Sequence, residues 1–271
     1  MMAAMTDTLE WTDTHCHLAH GRLHADVQDV IARARAAGVA RLICATGTVA
    51  ESKAALGLAR RNENVWCLAG VHPHEAKDAG EGDLETIEQL AGDTRNVAIG
   101  EIGLDYHYDF SPRADQRRVF AAQLDVAARL GKLVVVHTRE AFDETMAILR
   151  DSGLDGRRVV FHCCTEPIEH IRRAVDFGAA VSFSGIVTFK NTGFLRDGAA
   201  IVPDERLLIE TDAPYCSPEP LRKIKTNEPA HVVHVGVRLA AVRKTTPEAF
   251  ARLTTANAVR LFALGEAGEL P

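Results

Sequence analysis

The chain has 271 residues, 46% of them hydrophobic and 25% charged, a globular balance with enough apolar material for a sizeable core. Acidic residues number 37 against 31 basic ones, for a formal net charge of −6. This excludes a protein that grips nucleic acid mainly through its overall charge. Any such substrate must be held locally, by a few cations or by metal ions.

Apolar β-branched runs alternate with amphipathic stretches from end to end. Leu9–His15 reads as a strand, and Ala25–Ala37 as a helix stopped by Gly38. Ala40–Ala45 and Val49–Arg61 repeat the pair, as do Val65–Val71 and Leu84–Ala91. The short run Val97–Ile99 precedes a helix over Pro112–Leu130, in which Val119, Leu124, Val126 and Leu130 share a face and Gly131 supplies the stop. Leu133–His137, Val159–His162, Ala180–Phe183 and Leu207–Glu210 are further strands. Helices over Phe142–Asp151 and Pro167–Phe177 lie among them, and helices over roughly Ala230–Arg243 and Pro247–Leu264 close the chain. Gly80–Asp83 and Asp105–Ser111 read as the longer loops.

Strands alternating with helices imply a parallel sheet, and eight such units most simply close into a (β/α)₈ TIM barrel spanning residues 1–271 as one hydrolase domain. A doubly wound open sheet is the structural alternative. Against it, no GxGxxG or GxxxxGK[ST] follows the first strand.

Residues able to bind metal recur where apolar strands end. His15-Cys16-His17 ends the first, His72-Pro73-His74 the third, Glu101 the fourth, His137 the fifth, His162 the sixth and Asp212 the eighth. In a barrel these ends share one rim, where active sites are built. Residues two apart on a strand face the same way, so His15 and His17 can grip one ion while Cys16 points away. An HxH alone is weak, and a lone His137 or His162 reads as a hydrogen-bonded core histidine. Their recurrence at successive strand ends points to ligation. Glu101 would be a costly buried carboxylate unless it bridged cations. Asp212 could cap a helix, but Pro214 and the turn-rich Ser217-Pro218-Glu219-Pro220 follow it, so no helix starts at once.

The sequence resembles the TatD family of metal-dependent deoxyribonucleases, within the amidohydrolase-like barrels. The matching segments are Asp13-Thr14-His15-Cys16-His17, Gly70-Val71-His72-Pro73-His74, Gly100-Glu101-Ile102-Gly103-Leu104-Asp105-Tyr106, His137-Thr138-Arg139, Phe161-His162-Cys163, Glu210-Thr211-Asp212-Ala213-Pro214-Tyr215 and Asn227-Glu228-Pro229. The resemblance implies that His15, His17, Glu101 and Asp212 hold one metal ion and that Glu101, His137 and His162 hold the second. It implies that His72 and His74 line the site near the substrate. One local departure is Leu221-Arg222-Lys223-Ile224-Lys225, where the family pattern carries a Gly-Lys pair after an arginine.

Two divalent ions held by imidazole and carboxylate without thiolate suit Zn²⁺ or Mn²⁺ (or Fe²⁺), and Mg²⁺ fits a carboxylate-rich position. With Glu101 as bridge, Asp212 is either a pure ligand or also the proton acceptor for the attacking water. Arg139, just past His137, can fork onto a phosphate, and Lys190, Arg222, Lys223 and Lys225 form either a cationic lip or a solvated loop. The expected reaction is hydrolysis of DNA as a 3′-to-5′ exonuclease. The alternatives are a hydrolase of small amides, lactones or esters on the same barrel, or a non-catalytic metal-binding protein. No obligate protein partner is evident.

Cys16, Cys44, Cys67, Cys163, Cys164 and Cys216 form no CxxC and lie mostly in strand-like runs, as buried thiols in a reducing compartment would. His231 and His234 share a helix face with no carboxylate strand end beside them and read as packed or solvated. MMAAMTDTLEW lacks a secretory pattern and no run reaches the ~18 apolar residues of a membrane span, so the expectation is a cytoplasmic protein without a membrane anchor.

Overall fold

The computed structural model describes residues 9–265. The segment read for targeting signals lies mostly outside them. Within them, strands and helices alternate: β1 (Trp11–Cys16), α1 (Gly21–His24), α2 (Val27–Ala36), β2 (Val39–Cys44), α3 (Val49–Arg61), β3 (Val65–Ala69), α4 (Glu81–Ala91), β4 (Asn96–Asp105), α5 (Arg113–Leu130), β5 (Leu133–Arg139), α6 (Phe142–Asp151), β6 (Val159–Phe161), α7 (Ile168–Phe177), β7 (Ala180–Phe183), α8 (Gly193–Ile201), β8 (Leu207–Ile209), α9 (Val232–Val242) and α10 (Pro247–Phe262).

The eight strands pair in chain order, each parallel to the next. The ring closes where the chain leaving β8 meets β1. There Asp212 donates its N–H to the His15 carbonyl at 2.9 Å, and His17 donates to that of Ala213 at 2.7 Å. This is the expected (β/α)₈ TIM barrel.

Alternation along each strand sorts the core into two layers. Leu42 and Cys44 of β2 face the helices, as do Val134 and Val136 of β5. Between them, Ile43 and Val135 face the lumen and pack with Leu68, Val160 and Leu208. Ala258, Phe262 and Leu264, in and just after α10, join this inner cluster and plug the N-terminal end. The lumen is a packed core, so chemistry is confined to the opposite, C-terminal rim.

The structure departs from the sequence reading at several elements. Gly80–Asp83 is not a loop: Gly80 caps α4, donating its N–H to the Asp83 side chain at 2.9 Å. The helix Gly193–Ile201 went unread. Strand β4 runs six residues beyond the expected Ile99, to Asp105. Val119, Leu124 and Val126 are buried in α5, but Leu130 is exposed at its last turn. Gly131 does stop that helix, in the left-handed region at φ 65°. All six cysteines are free, and among the described residues no helix is long and apolar enough to cross a membrane.

Candidate metal centre

Two irregularities in strand pairing aim the site. Thr14 faces the lumen, where its hydroxyl reaches Ser182 of β7, and Cys16 faces the outer core, donating to the Ile43 carbonyl at 3.5 Å. Between Asp13 and Cys16 the register with β2 slips, and His15 turns inward. In β4 strict alternation would put Glu101 on the face of Ile99, which packs against the helices. The register with β5 slips between Ile99 and Ile102, and Glu101 enters the mouth instead. Re-aiming one side chain is what such a bulge does.

Glu101 is the hub. Its Oε2 lies 3.3 Å from His15 Nε2 and 3.7 Å from His17 Nε2. Its Oε1 lies 3.2 Å from His72 Nε2, 3.0 Å from His137 Nδ1 and 2.8 Å from His162 Nε2. The two oxygens thus serve different histidines. Asp212, at a left-handed φ of 55°, completes the first group with Oδ1 3.4 Å from His17 Nε2 and 4.0 Å from His15 Nε2. Four groupings have ligand-type atoms close enough to share an ion: His15–His17–Asp212, His15–His162–Glu210, His72–Glu101–His137 and Cys163–Asp212–Cys216.

The donor set fits divalent cations. Both nitrogens of His15 and Nε2 of His162 are buried without a hydrogen-bond partner, although they crowd Glu101. A buried polar atom left in that condition costs about 1–3 kcal/mol, and a cation coordinated there would remove the cost. Burial pushes His72 down to about 4, so at neutral pH its ring is uncharged, with Nδ1 accepting the His74 N–H at 3.1 Å. Burial, helped by His162, also lowers His15. Burial opposes the ionised form of Glu101, yet the surrounding imidazoles, His162 and His72 foremost, hold it well below the usual carboxylate range. His162 shows the converse: burial opposes its charge, and Glu101 and then Glu210 raise it well above the usual imidazole value.

Three carboxylates whose roles were not legible in the sequence brace this cluster. Asp105 is buried, with Oδ2 3.0 Å from His137 Nε2 and 3.1 Å from His74 Nε2. Glu210 accepts from the Cys163 N–H at 2.6 Å and lies 3.3 Å from His162 Nδ1. Asp13 accepts from the Thr211 N–H at 2.9 Å and its hydroxyl at 2.5 Å, fixing the turn that presents Asp212. Partners of this kind orient metal-binding histidines, and only their position before or after a strand-end motif hinted at it. Of the residues expected near substrate, His72 sits within reach of Glu101 itself. His74 is one step removed, on Asp105. Arg139 stands further out on the rim, its guanidinium 4.8 Å from the centre of the Tyr108 ring. His231 is tied to Asn227 (2.9 Å) and takes no part. A cavity of about 720 Å³ at the far end of the barrel, lined by Arg35, Arg41, Trp66 and Arg95, lies away from the cluster.

A (β/α)₈ barrel with a buried imidazole–carboxylate cluster at its C-terminal rim defines a metal-dependent hydrolase. Comparison with known proteins narrows the class. The family described as TatD related DNase matches residues 12–263. YcfH of Escherichia coli strain K12, named an uncharacterized metal-dependent hydrolase, is 40% identical over 253 residues, covering 92% of this chain and 94% of the relative. The protein named 3′-5′ ssDNA/RNA exonuclease TatD of Salmonella typhimurium is 38% identical over 255 residues, 92% of this chain and 98% of the relative. Among solved structures, the TatD homologue YJJV of Escherichia coli superposes with a TM-score of 0.88 at 27% identity, over 93% of this chain and 98% of the other. The chain belongs to the TatD related DNase family.

Proposed function

We propose that the chain is a deoxyribonuclease, a 3′-to-5′ exonuclease on DNA ends, working with two divalent ions held by His15, His17, Glu101, His137, His162 and Asp212. The observation that carries this reading is the division of Glu101, one oxygen facing His15 and His17 and the other facing His72, His137 and His162. A carboxylate so divided is suited to bridge two cations. Bound there, two divalent ions would lower the pKa of a water molecule and neutralise charge on a phosphoryl oxygen.

The remaining work falls to side chains. Although burial opposes its charge, Asp212 is held deprotonated by His17, and so can accept the proton of the attacking water. His72 and His74 line the substrate side, His74 oriented by Asp105. Arg139 at the rim faces the phosphate backbone. The name of the Salmonella relative, a ssDNA/RNA exonuclease, agrees with a nucleic-acid substrate.

The test compares metal-loaded and chelator-treated enzyme on single-stranded and duplex DNA labelled at either end, beside a panel of small esters, amides and lactones. The expectation is about two ions per chain, loss of activity with the ions, and stepwise release of nucleotides from the 3′ end. Binding of less than one ion would remove the binuclear scheme. Turnover confined to the small substrates would replace the nuclease reading.

A further inference from the structure

Two solvent-facing aromatic surfaces flank the metal centre on opposite sides of the barrel mouth. One lies just past β4. Tyr108 and Phe110 are 49% and 56% exposed, and their rings stack at 5.1 Å with 18° between planes. Arg139 lies over Tyr108, and the His74 ring meets Phe110 edge-on at 4.8 Å. The other lies past β8. Tyr215, 42% exposed, stands edge-on to His17 at 5.9 Å and carries Arg22 at 5.7 Å. It lines a cleft of about 430 Å³ together with Phe189, Arg222, Ile224 and Lys225. In a ring of eight strands paired in chain order, the fourth and the eighth stand across from one another.

No core explains these exposed rings, and the first surface is pinned to the catalytic cluster. Asp105 Oδ1 accepts the N–H groups of His107 and Tyr108 at 3.0 and 2.9 Å, while Oδ2 faces His74 and His137. One carboxylate therefore fixes the aromatic loop and a candidate metal ligand at once. The second surface is tied through Tyr215, three residues beyond Asp212 in the turn where the Tyr215 N–H donates to the Asp212 carbonyl at 2.8 Å.

We propose that these surfaces bind unpaired nucleobases on either side of the phosphodiester that is cut, one base on the Tyr108–Phe110 pair and one in the cleft of Tyr215 and Phe189. This rests on the nuclease reading above and assigns the side chains that would hold the bases of a single strand. Aromatic faces with arginine beside them suit stacked bases and adjacent phosphates, and the stacking tolerates any sequence because every base has a π-face. A duplex hides those faces, so it must fray before it can engage. The chain's net charge of −6 agrees with recognition that leans on stacking more than on a basic track.

The experiment uses the metal-loaded enzyme, its Tyr108→Ala/Phe110→Ala and Tyr215→Ala variants, and conservative Tyr108→Trp and Tyr215→Trp controls. Substrates are one single-stranded oligonucleotide and copies with an abasic residue at the terminal or the penultimate position. Each alanine variant should lower kcat/KM on the intact strand by about 5- to 150-fold, the range for losing one stacked base. It should change little on the copy lacking the base that its surface holds, and the tryptophan controls should retain the wild-type preference. A 2-aminopurine at the matching position of a phosphorothioate-protected strand should be quenched by wild type and not by the alanine variant. If wild type cuts intact and abasic strands equally, or the alanine variants lose the same factor on both, stacking is overturned while the nuclease reading stands. If wild type cuts no strand at all, both fall.

Discussion

Replacing Glu101 by glutamine keeps the shape of the hub and removes its charge. In the metal-free protein the consequence follows from two opposite shifts. Glu101 is held well below the carboxylate range, so its contribution to stability is present above the unfolded value near 4.5 and is lost as pH falls through its folded value. His162 is raised well above 6.5, so its contribution is fully present below 6.5 and is lost as pH rises through its folded value. The pair therefore stabilises the fold most between about pH 5 and 6.5. Breaking a buried pair costs about 3–5 kcal/mol, or roughly 6–20 °C in Tm for a chain of this size. As pH rises through the folded value of His162 that imidazole loses its charge, and the glutamine removes a carboxylate that burial disfavours, so the deficit should shrink or reverse. Thermal melts of chelator-treated wild type and Glu101→Gln across pH 5–9 measure this directly. In the metal-loaded protein the same variant should lose ions from both positions and at least about a thousandfold in kcat, roughly 4 kcal/mol of transition-state stabilisation. A Tm deficit independent of pH, or a variant that keeps two ions and its kcat, would refute the assignment of Glu101 as the hub.

Gly103 sits at φ 137°, and a Cβ there would lie 2.0 Å from the His137 carbonyl oxygen. Gly103→Ala should therefore push β5 by roughly 1 Å at His137 and cost about a hundredfold in kcat with the barrel still folded, as circular dichroism and kinetics together would reveal. Arg139→Ala should flatten the log–log salt dependence of single-strand binding by about 0.7, one phosphate, with metal content unchanged; wild type should engage only about two or three phosphates, and a slope equivalent to eight would contradict local gripping. Burial pushes the Cys44 and Cys164 thiols up to about 12, so in the native protein both should resist a disulfide reagent at pH 8 and react at once on unfolding.

The barrel and the rim were readable because each strand is a dense apolar run, and the polar residue at its end stands out against that background. His137 and His162 follow Val135 and Val160 by two, so alternation alone aims them inward. Glu101 breaks that rule, and so does His15. Their orientation depends on register slips that arise between strands, which one strand's sequence does not encode. Asp105 and Glu210 were visible as motif residues, but their work is defined by histidines 32 and 48 positions away. The helix Gly193–Ile201 escaped notice because glycines at 193 and 198 lower its intrinsic propensity, and its burial comes from neighbours such as Ile171. The start of α4 was obscured likewise, since Gly80-Glu81-Gly82-Asp83 looks like a turn until Asp83 reaches back to the Gly80 N–H.

The cluster side chains stand on strands or within a few residues of their ends, whereas Tyr108, Phe110, Arg222 and Ile224 stand on the connections between elements. On the base-binding proposal, hydrolytic capacity and choice of substrate would be carried by separable pieces of chain. The connection over residues 106–112 carries none of the histidines that crowd Glu101 and could be exchanged for one of another length or chemistry, provided Asp105 remains to hold His74 and His137 and a hydroxyl like that of Ser111 remains to hold the His74 carbonyl. The stretch Leu221–Lys225, where this sequence leaves its family's pattern, is a second such exchangeable part. A library confined to these two segments would retarget the enzyme at little risk to the barrel, and within a lineage the same two segments are where divergence in substrate should accumulate first.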